Sequence, residues 1–280
     1  MLASLSLLLE GDGVTLETLR FTSCQAPVAE AFCAGVARHI GEQLGIATTF
    51  VGDVPWQERL QQFDTGRIHV CWMCGLPYVR RAGGEDSILE LLAAPVMAAS
   101  RYADQPVYFS DVVVLRDGPC RSFADLASGT WAYNEATSHS GYTATRCLLA
   151  KRGYTSEFFG KVVATGSHEA SLDLLLEGEV HGSAIDSTVL DLLTARDPNL
   201  ESRLRVVEVF GPSPIPPWVI AKTVPPAVRA AVRSALLSMS DDARGRAVLA
   251  SGRAARFVRV TDTDYNPIRS MTKAADRVQI

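Results

Sequence analysis

The sequence predicts an α/β protein, and three observations carry that expectation. Strand-like runs alternate with helix-period segments along most of the chain. Polar turns separate them in a repeated order of strand, turn and helix. With 280 residues, 47% hydrophobic and 21% charged, there is apolar material for one large domain or two medium ones.

The elements follow in order. Leu19–Ser23 reads as a first strand. Pro27 opens a helix in which Val28, Phe32, Val36, Ile40 and Leu44 recur every four residues until Gly45. Ala47–Val51 is a strand, Trp56–Phe63 a short helix and Ile68–Met73 a strand. Val107–Leu115 is β-rich, SFADLASG reads as a helix and Thr130–Tyr133 as a strand. The turn ATSHSG then precedes a helix whose Lys151 and Arg152 suit the last turn before Gly153. Val162–Thr165 is a strand, Ser167 caps a Leu-rich helix ending at Gly178, and Val180–Ile185 is a strand. After Leu204–Phe210, GPSPIPPW holds four of the 14 prolines and must be extended. Trp218–Ala221, a helix from about Pro226 to Met239 and a polar C-terminal stretch complete the chain.

Composition excludes several functions. The apolar run Leu89–Ala99 is interrupted by Pro95, and no run reaches the roughly 18 apolar residues that span a bilayer. Membrane insertion is not expected. Lys and Arg total 27 against 31 Asp and Glu, dispersed apart from the pair Arg80 and Arg81, which argues against nucleic acid as a partner. Leu2–Leu9 is apolar but lacks a basic flank and precedes Glu10 and Asp12, a poor export signal.

The turn Thr137, Ser138, His139, Ser140, Gly141 stands at a helix start, where unpaired backbone N–H groups and the dipole favour an anion. One N-cap would need only one of its donors. Ser167 and His168 repeat the arrangement at the next helix start. Asp186 either accepts hydrogen bonds from a ligand or caps the helix after it. Cys71 and Cys74 form C-W-M-C at a strand end, which disfavours redox chemistry and leaves packed side chains as the expectation for the pair; the sequence does not set the redox state of the six cysteines. The five histidines show no metal-ligand spacing. G-x-S-x-G, Walker A and the Rossmann fingerprint are absent, so neither metal nor cofactor is expected.

In order, GRIHVCWMCGLPYV, VYFSDVVV, TSHSGY, GSHEASLDLLLEGEVHGSAID and VTDTDYNPIRSM resemble the phosphate, phosphite and phosphonate group of ABC-transporter solute-binding proteins, from Leu19 to the end. The resemblance implies a type II periplasmic-binding-protein fold, two α/β lobes joined by two crossing strands around a ligand cleft. Lobe 1 would be residues 1–107 plus 218–280, and lobe 2 residues 108–217. The family's donor turn falls on Ser138, His139 and Ser140, followed by Gly141, and its helix-initial histidine on His168. Trp72, Tyr108 and Trp218 would shape the cleft, and Asp186 would face it. The sequence departs from the family where His139 replaces a threonine, Trp72 a tyrosine and His69 an aspartate; His69 is expected at the surface.

The implied function is capture of a small oxyanion or anionic organic compound such as a phosphonate, with hinge closure, for an ABC permease. Such proteins are extracytoplasmic, in tension with the weak export signal. That tension motivates the alternative, an enzyme on the same fold like those of the menaquinone and thiamine-precursor pathways. His168, His139 and Asp186 would then be its acid and base groups.

Overall fold

The computed structural model describes residues 17–83 and 86–280. The run Leu2–Leu9, with its reading as a weak export signal, lies outside them. The chain begins with β1 (Thr18–Ser23), α1 (Glu30–Leu44), β2 (Ala47–Val51), α2 (Trp56–Asp64), β3 (Val70–Trp72), α3 (Gly75–Arg81) and β4 (Leu89–Met97). It continues through β5 (Val107–Leu115), β6 (Thr130–Tyr133), α4 (Ala144–Lys151), β7 (Lys161–Ala164), α5 (His168–Leu176), β8 (Gly182–Asp186), α6 (Ser187–Arg196), α7 (Asn199–Arg203) and β9 (Leu204–Pro214). Then come β10 (Trp218–Ala221), α8 (Pro226–Leu237), α9 (Ala243–Ser251), β11 (Ala254–Val258) and α10 (Asn266–Ala275).

These elements form two compact units. The first comprises the described residues up to Pro106 together with Ile215–Asp264. Its sheet has the order β11-β4-β10-β3-β1-β2, with β1 parallel to β2 and β3, and β10 antiparallel to β3 and β4. Gly45, at φ +65°, ends α1 in the left-handed conformation that glycine reaches without a Cβ clash. Arg59 ties the strand ends together: its guanidinium donates to the carbonyls of Ser23, Gly52 and Val54 and pairs with Glu30 at 2.7 Å.

The second unit comprises Val107–Pro214 and Tyr265–Ile280, around a sheet of order β7-β6-β8-β5-β9. Strand β6 is parallel to β7 and β8, and β5 is antiparallel to β8 and β9. Trp131, Phe123, Phe159, Phe210 and Val278 meet in its core.

The chain therefore passes between units three times, at 106/107, 214/215 and 264/265. The first two passages are neighbours, since Ile215 N donates to Pro106 O and Val107 pairs with Pro214. The third corrects the expectation that lobe 1 runs to the C-terminus. The tail carries Ile268, Met271, Ala275 and Val278 on one apolar stripe and packs on α4, where Val278 O accepts from Arg146 Nε at 2.6 Å. SFADLASG, expected as a helix, is only a 3-10 turn at Phe123–Leu126, with Ser122 and Asp125 forming a capping box. The polar C-terminal stretch holds α9, β11 and α10. His69, expected at the surface, is half-buried, and its Nδ1 accepts from Arg20 N at 3.0 Å.

Candidate functional site

The second sheet gathers its polar residues by topology. Because β6, β7 and β8 are parallel, their carboxyl ends lie at one edge, and there the chain enters the donor turn, α5 and α6. Strand β5 runs the other way, so its first residues reach the same edge: Ser110 lies opposite Asp186, and Tyr108 opposite Ser213 of β9.

The donor turn begins the helix that becomes α4, with a wide π-helical turn at His139–Thr143. Ser138 is its N-cap, and its Oγ accepts from Gly141 N at 3.1 Å. Ser140 Oγ lies 3.1 Å from His168 Nε2 and 3.5 Å from Ser138 Oγ, while Ser140 O accepts from Ser110 Oγ at 2.7 Å. His139 Nε2 lies 3.2 Å from Ser213 Oγ, and its ring tilts against that of Tyr108. Ser138, His139, Ser140, Tyr108 and His168 are all buried. Asn134 and Ser213 were not singled out from the sequence; Asn134 Nδ2 reaches His168 Nε2 at 3.5 Å, and only the pairing of strands makes either visible.

Several polar atoms here are buried without a protein partner: Asn134 Oδ1, Thr137 Oγ1, His139 Nδ1 and His168 Nδ1. Buried polar atoms nearly always find partners, so this concentration at one strand edge suits a polar ligand. Burial pushes both imidazoles down to about 4, leaving them neutral at pH 7 with one donor and one acceptor nitrogen each. The donors are thus hydroxyls, neutral imidazoles and helix N-terminal N–H groups, a set able to hold an oxyanion.

Asp186 serves as the N-cap of α6: Oδ1 accepts from Thr188 N at 2.8 Å and Thr188 Oγ1 at 2.7 Å. Burial first, and nearby Asp111 to a smaller extent, raise its carboxyl to about 6 against the lowering by the Thr188 and Val189 hydrogen bonds. Trp72 and Trp218 lie in the first unit and are core residues there. They pair across β3 and β10, their rings stack 6.0 Å apart, and Trp72 Nε1 donates to Pro216 O. Trp218 Nε1 is buried without a protein partner. Among the described residues, no group of three or more His, Cys, Asp and Glu is placed to hold a metal ion.

These titrations set a pH dependence. Across about pH 6.5 to 4, unfolding lets His139 and His168 take up two protons, while Asp186, protonated in the fold up to about 6, releases one above 3.8. The net uptake means that stability falls on acidification between pH 6 and 4, by about 1.4 kcal/mol per pH unit. His168→Gln should flatten that slope, since the remaining imidazole and Asp186 then cancel. Denaturant unfolding at a series of pH values checks both.

The family model for the periplasmic substrate-binding protein of phosphonate ABC transporters matches residues 21–265. Among solved structures, a binding protein component of an ABC phosphonate transporter from Pseudomonas aeruginosa superposes with a TM-score of 0.80 at 18% identity, covering 92% of this chain and 86% of that one. PhnD1 from Prochlorococcus marinus, in complex with methylphosphonate, gives 0.81 at 16% identity, covering 94% and 99%. A Xanthomonas citri protein bound to ATP gives 0.68 at 16% identity, covering 94% and 100%. At these identities the structures establish the shared two-lobed binding-protein fold.

Proposed function

The chain belongs to the family of periplasmic substrate-binding proteins of phosphonate ABC transporters, and on that premise we propose that its second unit captures a phosphonate or phosphate-like oxyanion for delivery to an ABC permease. The head group would sit on the donor turn Ser138–Gly141 and on His168, with Tyr108 and His139 bounding it. One observation carries this reading: the orphaned buried polar atoms of Asn134, Thr137, His139 and His168 cluster where the parallel strands end. The methylphosphonate held by the Prochlorococcus protein supports the ligand class. The family match favours capture over the acid–base alternative for His168, His139 and Asp186, because it is a family of binding proteins.

Calorimetric titration with methylphosphonate, phosphate, phosphite and sulfate tests the reading. At least one phosphorus oxyanion is expected to bind. The double variant Ser138→Ala with Ser140→Ala should weaken it by about 100-fold or more, since hydrogen bonds to a charged group contribute about 1.5–3 kcal/mol each. Binding by none of the four, or unchanged affinity in the double variant, refutes it.

A further inference from the structure

We propose that Cys24 and Cys71 are a modification site, closing into a disulfide between β1 and β3 on exposure to an organic disulfide. The inference is independent of the ligand assignment, because both residues belong to the first unit.

The ladder brings the two thiols together. Thr22 lies opposite Cys71 and Ser23 opposite Trp72, and Cys24 N continues the pairing by donating to Trp72 O at 3.0 Å. Cys24 Sγ consequently lies 3.6 Å from Cys71 Sγ. A disulfide needs about 2.05 Å, so the two sulfurs must close about 1.5 Å. Cys74, the other cysteine of C-W-M-C, follows the end of β3 at the start of α3, whereas the close sulfur approach runs across the ladder from Cys71 to Cys24. Burial raises the thiols of Cys33, to about 12, and of Cys71 alike, so acidity does not choose between them; what selects Cys71 is the 3.6 Å approach of its sulfur to that of Cys24.

Access sets the order of events. Cys24 is half-buried and open to solvent, whereas Cys71 is wholly buried. The Cys24 thiolate attacks one sulfur of a disulfide R–S–S–R, forming Cys24–S–S–R and releasing R–S⁻, which takes up the proton Cys24 gave to water. Cys71 then yields its proton, attacks Cys24 Sγ and expels the second R–S⁻, which leaves as R–SH. Two protein thiols are oxidised and one external disulfide is reduced. The family is described as periplasmic, and the periplasm is a compartment in which such disulfides persist.

The test is incubation of the purified full chain with oxidised glutathione, followed by denaturing alkylation, intact mass and peptide mapping. The expected result is a loss of about 2 Da with two fewer alkylated thiols, and a crosslinked peptide joining Cys24 to Cys71. Cys24→Ser should abolish the crosslink, and Cys33→Ser should leave it. Six free thiols after oxidation, a lasting glutathione adduct on Cys24, or a bond from either residue to Cys33 or Cys74 overturns the proposal.

Discussion

Gly141→Ala is expected to weaken oxyanion binding severely while the protein stays folded. A Cβ at this position would lie 2.1 Å from Asn134 Oδ1, 3.0 Å from its Cγ and 3.3 Å from His168 Cε1. Nothing survives at 2.1 Å, so a neighbour must move, and the easiest to move is the far end of the Asn134 side chain. That shift presses the amide toward His168 and breaks the arrangement in which Asn134 Nδ2 and Ser140 Oγ share the imidazole. Overpacking of this kind costs about 1–3 kcal/mol of stability, which a domain tolerates. Affinity should fall by about 100-fold or more, because several donors lose their positions together. Calorimetry alongside a thermal melt separates the two effects. Adding Asn134→Ala to the Gly141→Ala variant removes the clash and should restore part of the affinity. Unchanged affinity in the single variant would mean that the ligand does not depend on this turn.

Trp131→Ala should be the most destabilising single change in the second unit, by about 3–5 kcal/mol. The indole is fully buried, stacked on Phe159 with centroids 4.7 Å apart and edge-on to Phe123 at 6.4 Å. Its Nε1 is buried without a partner, so the side chain is held by packing alone. Trp131→Phe is therefore the informative companion. It keeps most of the aromatic contact and removes an unsatisfied N–H, and should cost less than about 1.5 kcal/mol. Denaturant unfolding measures both, and equal losses would show that the indole does something other than fill space.

The donor turn was legible in the sequence because hydroxyls, a histidine and a glycine at a helix start leave a compact trace. The repeated order of strand, polar turn and helix start also marked His168 and Asp186 as residues of the same kind of position. Ser110, Asn134 and Ser213 were not legible, since a polar residue on a strand acquires meaning only from the strand beside it. Strand β4 was hidden by Pro95, which argues against a central strand. Its register explains the tolerance: β4 pairs with β10 over Leu89–Ala93 and with β11 over Ala94–Met97, so the proline lies beyond the β10 pairing. Helix α10 was missed because Asn266, Arg269 and Lys273 lower its average hydropathy, although Ile268, Met271 and Ala275 keep the helical spacing. The stacking of Trp72 on Trp218 was not legible either, since it depends on the pairing of β3 with β10.

The third passage of the chain has a bearing on synthesis. The first unit lacks β10, α8, α9 and β11 until residue 264 has been made, and the second lacks α10 until the tail follows. Neither unit is a contiguous stretch that could be completed early while the remainder is still being translated. Excising residues 107–214 would likewise leave the second unit without the helix and Val278 that close its core. The first sheet thus waits for residues 215–264 and the core of the second unit for residues 265–280, so a nascent chain exposes an unfinished sheet and an uncovered core until those segments have been made.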